Sequence, residues 1–137
     1  MYKKIAIILI VVLFATAIPC VSAAGSNIQP LYNNIESIVV GLGIDEENGL
    51  AYCAGEVEAY YNVPVEVLVQ LQVYKNGTWK TLMSWSDTGT GYAQVDQIYS
   101  VDSGYNYKVK VTGYICNDLG LPIESETEEK EFYYPAT

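Results

Sequence analysis

From residue 65 to residue 74 apolar and polar side chains alternate without a break. Val65, Val67, Val69, Leu71 and Val73 fall on one face of an extended chain, and Glu66, Leu68, Gln70, Gln72 and Tyr74 fall on the other. Successive side chains of a strand point to opposite sides of its sheet, so a period of two predicts a strand with its valine face on a core. Similar runs cover 35–44, 50–60, 79–85, 92–101, 105–116 and 124–134. Ala93, Val95, Gln97, Tyr99 and Val101 alternate with Tyr92, Gln94, Asp96 and Ile98. Tyr105, Tyr107, Val109 and Val111 are expected inward, with Asn106, Lys108 and Lys110 outward. Turn signals separate the runs: Asp45-Glu46-Glu47-Asn48-Gly49, Asn62-Val63-Pro64, Lys75-Asn76-Gly77-Thr78, the loop from Ser86 to Gly91, Asp102-Ser103-Gly104 and Asn117 to Pro122. Seven short strands with turns every 8–12 residues and no helical period predict an all-β, antiparallel β-sandwich over 35–137.

The Asn76-Gly77 pair suits a two-residue type I′ hairpin, because both central positions need positive φ. With that turn Tyr74 faces Trp79, Val73 faces Lys80, Leu71 faces Leu82 and Leu68 faces Trp85. Tyr74, Trp79 and Trp85, with Met83 and Leu68, then share the side opposite the valines, unless a bulge swaps the faces of the returning strand. Exposed flat rings of this kind stack on sugars or anchor protein partners. Tyr74, Trp79 and Trp85 are therefore the candidate ligand-binding residues, with coverage by a loop or second sheet as the alternative. Asn76-Gly77-Thr78 also has the form of a glycosylation sequon.

Residues 1–24 follow another pattern: Lys3 and Lys4, an apolar run from Ile5 to Ile18, and small residues at Val21-Ser22-Ala23-Ala24. That order predicts a cleaved signal peptide. The apolar run is about 14 residues, short of the roughly 20 a membrane-crossing helix needs. Cys20 follows Pro19, without the small residue that precedes a lipid-anchored cysteine, and is expected to leave with the signal. Residues 25–34 read as a leader, packed on the domain or loose in solvent, so the mature chain is expected outside the cell or at its surface.

Removal of the signal changes what composition implies. The mature part keeps five of seven lysines and all sixteen carboxylates, a net charge of −11, with no arginine or histidine anywhere in the chain. Phosphate recognition then has little to be built from, which argues against nucleic acid, and the negative sign disfavours anionic membranes. Cys53 and Cys116 remain, an even pair in an oxidising compartment. They suggest a disulfide, or else two buried free thiols.

Catalytic chemistry finds little support. Serine or cysteine hydrolysis lacks its usual histidine base, and zinc lacks its usual ligands. Glu56 with Glu58, and Glu124 with Glu126 and Glu128, share strand faces and are carboxylate pairs of the kind glycoside hydrolysis needs, but sixteen acids make accidental pairs easy and a solvated strand face is the better explanation of them. The Asp45–Gly49 segment lacks the spaced ligands of a calcium loop and reads as a hairpin turn. No cofactor or metal is expected.

The stretch Asp102-Ser103-Gly104-Tyr105-Asn106-Tyr107-Lys108-Val109-Lys110-Val111 resembles the turn and penultimate strand of immunoglobulin-like and fibronectin type III-like domains, with Tyr107 or Tyr105 as the tyrosine near that strand's start. Cys53 and Cys116 resemble the inter-sheet cysteine pair of immunoglobulin domains. However, Cys53 lies near the start of its strand and Cys116 near the end of its own, which in such a sandwich places them at opposite ends. The lysine-led signal, the Asn-Gly-Thr-Trp hairpin and the tyrosine-rich β domain resemble small secreted proteins of Gram-positive bacteria. Neither likeness implies an activity. The expected function is that of a secreted, non-enzymatic binding or structural protein meeting an extracellular protein or glycan. The alternatives are a carbohydrate-binding module using the aromatic face and a small hydrolase using paired carboxylates.

Overall fold

A computed structural model describes residues 34–137. The expected signal and most of the expected leader lie outside the described residues. Seven strands follow in order: β1 (Ile35–Asp45), β2 (Leu50–Ala59), β3 (Pro64–Lys75), β4 (Thr78–Thr90), β5 (Tyr92–Ser100), β6 (Tyr105–Cys116) and β7 (Pro122–Tyr134). They build two antiparallel sheets, ordered β1-β2-β5 and β4-β3-β6-β7, packed as a β-sandwich. The expected loop from Ser86 onward is instead strand: β4 stays paired with β3 as far as Thr90 opposite Pro64. Its Ser, Asp and Thr side chains suit an edge strand, whose outer positions meet water.

The alternating valines meet in the middle. Val65, Val67, Val69, Leu71 and Val73 of β3 and Tyr107, Val109, Val111 and Ile115 of β6 are buried against Ala51, Cys53 and Val57 of β2 and Ala93 and Val95 of β5. Burying each such side chain is worth about 1.5–3 kcal/mol relative to exposure. Two glycines let the sheets approach closely at the centre. A Cβ on Gly55 would collide with Val69, and one on Gly113 would lie 2.6 Å from Val57 Cγ2 and 3.2 Å from Ile38 Cδ1. Because Gly55 faces Val111 and Gly113 faces Val57, β2 and β6 run in the same direction. The molecule thus has a near end, where β1 begins, β6 finishes and β7 begins, and a far end holding the 45–50 turn, the 75–78 hairpin and the start of β6.

Tyr107 anchors the connection into β6. It is 1 % exposed, and its hydroxyl donates to the Asp102 carbonyl at 2.7 Å and accepts from the Asp102 N–H at 3.0 Å. A phenol in the core thereby keeps its polar tip satisfied while fixing the turn before the strand. At the near end the Glu124 carboxylate accepts from the Asn34 backbone N–H at 3.0 Å, the Asn34 side-chain amide at 3.1 Å and the Ile35 N–H at 3.3 Å. This ties the start of β1 to the start of β7. At the far end Tyr134 donates to the Glu46 carbonyl at 2.8 Å. Glu126, Glu128 and Lys130 pair with inward-facing residues of β6 yet remain exposed at the β7 edge, an arrangement that discourages another chain from adding there.

The cysteines form no bridge: both are buried free thiols. Cys53 pairs with Leu42 and Gln97 early in β2, and Cys116 pairs with Pro122 at the end of β6. With β2 and β6 parallel, about seven residues of strand separate them, roughly 20 Å at 3.3 Å per residue. A disulfide requires Cα atoms within about 7 Å.

Candidate functional site

The β3–β4 hairpin forms as its sequence predicts at the tip. Asn76 and Gly77 have φ of 54° and 80°, and Tyr74 pairs with Trp79 and Val73 with Lys80. The register then slips: Gln72 pairs with Thr81 but Leu71 pairs with Met83, leaving Leu82 as an extra residue. This bulge exchanges the faces of β4. Trp85 is opposite Val69 rather than Leu68, and Met83 is opposite Leu71, so neither shares the face of Tyr74 and Trp79. Trp85 turns inward to meet Tyr99 edge-on at 6.3 Å and 70°, closing the gap between β4 and β5 with Leu82 beside it. Of the three aromatic candidates, Tyr74 and Trp79 lie together on the outer face and Trp85 belongs to the core margin. Leu68 remains outward.

A further ring joins the two on the outer face. Phe132 and Tyr134 of β7 turn inward, so Tyr133 between them faces out, paired with Asn106. Trp79, Tyr74, Asn106 and Tyr133 therefore form one row across β4, β3, β6 and β7 at the far end. Tyr74 is 42 % exposed and Tyr133 56 %. Being two strands apart, they are separated by about 10 Å at the usual strand spacing. Sequence reading missed Tyr133 because β7 is dominated by its charges; the signal lay in the alternation of Phe132, Tyr133 and Tyr134.

The adjacent row is polar and ordered. Lys108, paired with Gln72, lies with Nζ 4.4 Å from the centre of the Trp79 ring and 3.3 Å from Glu129 Oε2. Its side chain is only 10 % exposed, so both contacts are largely shielded from water and hold the indole firmly. On the other side Tyr74 packs against Trp79 at 5.2 Å with the rings tilted by 56°. The Gln72 amide donates to Thr81 Oγ1 at 3.2 Å. Together these contacts make a braced platform: a fixed indole, two exposed phenols, and amide, ammonium and carboxylate groups alongside.

The other candidate groups are placed elsewhere. Glu56 and Glu58 lie on the outer face of the three-stranded sheet beside Tyr92, whose hydroxyl donates to Gln94 Oε1 at 2.9 Å. Burial, with help from the charges of Glu56 and Glu58, raises the Tyr92 phenol above its ordinary value. Glu124 is engaged by the start of β1, and Glu126 and Glu128 line the β7 edge. The Asp45–Gly49 turn is closed by its own groups: Asp45 accepts from the Asn48 side-chain amide at 2.7 Å and from the backbone N–H groups of Glu47 and Asn48.

A cleft of about 420 Å³ opens at the near end, lined by Pro64, Glu66, Thr88, Thr90, Cys116 and Gly120 among others. Burial first, and the Glu66 carboxylate second, raise the Cys116 thiol above its ordinary value, so it is protonated and a poor nucleophile at neutral pH. No protein-family model matches the chain, and no curated protein matches it either.

Proposed function

We propose that this chain is an extracellular, non-enzymatic binding module that takes a carbohydrate across the outer face of its four-stranded sheet. The observation that carries this reading is the Trp79–Tyr74–Tyr133 row. Two exposed phenols stand about two strand spacings apart, comparable to the reach of two linked sugar rings. Sugar faces stack on such rings, and Gln72, Lys108 and Glu131 in the next row supply hydrogen-bonding groups to hydroxyls. Trp79, braced by Lys108 and Tyr74, gives the platform a rigid wall, so little ordering entropy is lost on binding. The likeness to immunoglobulin-like and fibronectin type III-like sandwiches is supported by the β1-β2-β5 and β4-β3-β6-β7 strand order and by the Tyr107 anchor to Asp102. That likeness concerns architecture and assigns no ligand.

The test is retention of the purified protein on a panel of immobilised polysaccharides. Tyr74→Ala, Tyr133→Ala and Trp79→Ala each abolish retention while leaving a folded protein by circular dichroism, whereas Trp85→Ala retains binding and lowers the melting temperature. Absence of retention on every polymer, or full retention by all three outer-face variants, defeats the reading.

A further inference from the structure

We propose that the free edge of β1 is a second binding site, which takes an extended peptide segment with an uncharged middle and basic ends as an added strand. The two sheets have four edges, and three of them are guarded. The β7 edge carries Glu126, Glu128 and Lys130, and the β4 edge is broken by the bulge at Leu82 and lined by polar side chains. The β5 edge is covered by β4: Asp87 Oδ2 accepts from the Gln94 N–H at 3.3 Å, and Trp85 meets Tyr99. Charges, bulges and covering elements are the devices by which natural sheets keep other chains off. β1 has them only at its start, where its register shifts between Ile35 and Ser37 and Glu124 accepts from the Ile35 N–H. From Ser37 to Ile44, about 27 Å of strand, it has neither a charge nor a proline, and among the described residues no strand pairs with its outer edge.

The surface beside this edge has room for a neighbour. Leu42 turns inward, so Gly41 and Gly43 lie on the outer face of the sheet, and a Cβ on Gly43 would meet nothing within 4 Å. A side chain of an added strand can lean across that gap to Tyr52, which pairs with Gly43 and is 43 % exposed. Charge then selects the occupant. β1, β2, β5 and the turns at 46–49 and 101–104 hold eight of the sixteen carboxylates and no lysine. They bracket the neutral run: Glu36 precedes it, Glu58 and Glu56 lie opposite Ser37 and Val39, and Asp45, Glu46 and Glu47 follow it. A second copy of the chain is the wrong partner, because antiparallel pairing of two β1 strands sets their acidic ends against each other. A segment with cations at both ends meets carboxylates at both ends, while the ladder hydrogen bonds along its neutral middle supply affinity.

The test uses the full mature chain and three synthetic peptides: Lys-Lys-Thr-Val-Thr-Tyr-Thr-Val-Thr-Val-Lys-Lys, the same middle flanked by glutamates, and the lysine-flanked form with prolines as its two central residues. Calorimetry gives the affinities, and amide hydrogen exchange gives the place. The expected result is at least about tenfold tighter binding of the first peptide than of either other, weakening as salt is raised. Its binding slows exchange within Ser37–Ile44. Glu46→Lys with Glu47→Lys, in an exposed turn, weakens the lysine-flanked peptide and strengthens the glutamate-flanked one. Tyr74→Ala leaves peptide binding unchanged, which separates this site from the outer face of the four-stranded sheet. No binding of the lysine-flanked peptide, equal binding of it and either other form, or slowed exchange on a different strand overturns the proposal. Protection of Ser37–Ile44 that grows with protein concentration in the absence of peptide also overturns it, and assigns the edge to a second copy.

Discussion

Replacing Gly113 by alanine tests how closely the two sheets are packed. The added methyl would lie 2.6 Å from Val57 Cγ2, 3.0 Å from Val57 Cβ and 3.2 Å from Ile38 Cδ1, whereas carbon atoms prefer about 3.5–4.0 Å. Roughly 1 Å of separation is needed. Val57 cannot supply it cheaply, because it is fully buried and its strand is paired on both sides, with Ile38 in β1 and Ala93 in β5. Overpacking of this kind costs about 1–3 kcal/mol. Against it stands a gain of about 0.4–1 kcal/mol from the smaller entropy of an unfolded alanine. The net loss is about 1–2 kcal/mol, which for a domain of this size lowers the melting temperature by roughly 5–15 °C. Urea unfolding followed by tryptophan fluorescence and calorimetry measures both quantities. Val57→Ala alone should also destabilise by opening a cavity, but combined with Gly113→Ala the losses should be less than additive by about 1 kcal/mol or more, beyond the 0.3–0.5 kcal/mol scatter of independent sites. A Gly113→Ala protein as stable as the parent, or strict additivity in the double variant, would refute this account of the interior.

Two other outcomes follow from groups in the interior. Tyr107→Phe deprives both the N–H and the carbonyl of Asp102 of a partner and should cost about 1–3 kcal/mol in urea unfolding; an unchanged midpoint would show that water replaces the hydroxyl. Burial pushes the Cys53 thiol up to about 11, so Cys53 should react with a thiol reagent only after unfolding, as peptide mapping of the labelled protein would show. The same shift makes stability fall as pH rises above the ordinary thiol value towards 11, since the unfolded chain ionises first. Cys53→Ala should flatten that alkaline slope, and an equally steep slope in the variant would assign it to other groups.

The strands were readable because a period of two, once written into Val65–Val73 or Tyr105–Val111, leaves one register that buries every apolar side chain. The hairpin tip was readable for a different reason, since Asn76 and Gly77 tolerate the backbone that the turn demands. The bulge at Leu82 was not. Thr81, Leu82 and Met83 carry no glycine or proline to mark it, and its cause is tertiary: the slip lets both Leu82 and Trp85 turn towards the core, Trp85 over Tyr99. One inserted residue thus moved Trp85 out of the candidate site. Tyr133 entered the site for the converse reason, as its neighbours Phe132 and Tyr134 were claimed by the core.

The clamp of Glu124 on Asn34 and Ile35 at one end, and the bonds of Tyr134 to Glu46 and of Gly104 to the Tyr134 carbonyl at the other, fix the directions in which the chain enters and leaves the sandwich. A tension applied across residues 34 and 137 is directed along the strands. It would have to slide β1 along β2 and β7 along β6, loading many ladder bonds at once instead of peeling them one by one. A protein stretched between a surface and a bound polymer would resist unravelling for that reason.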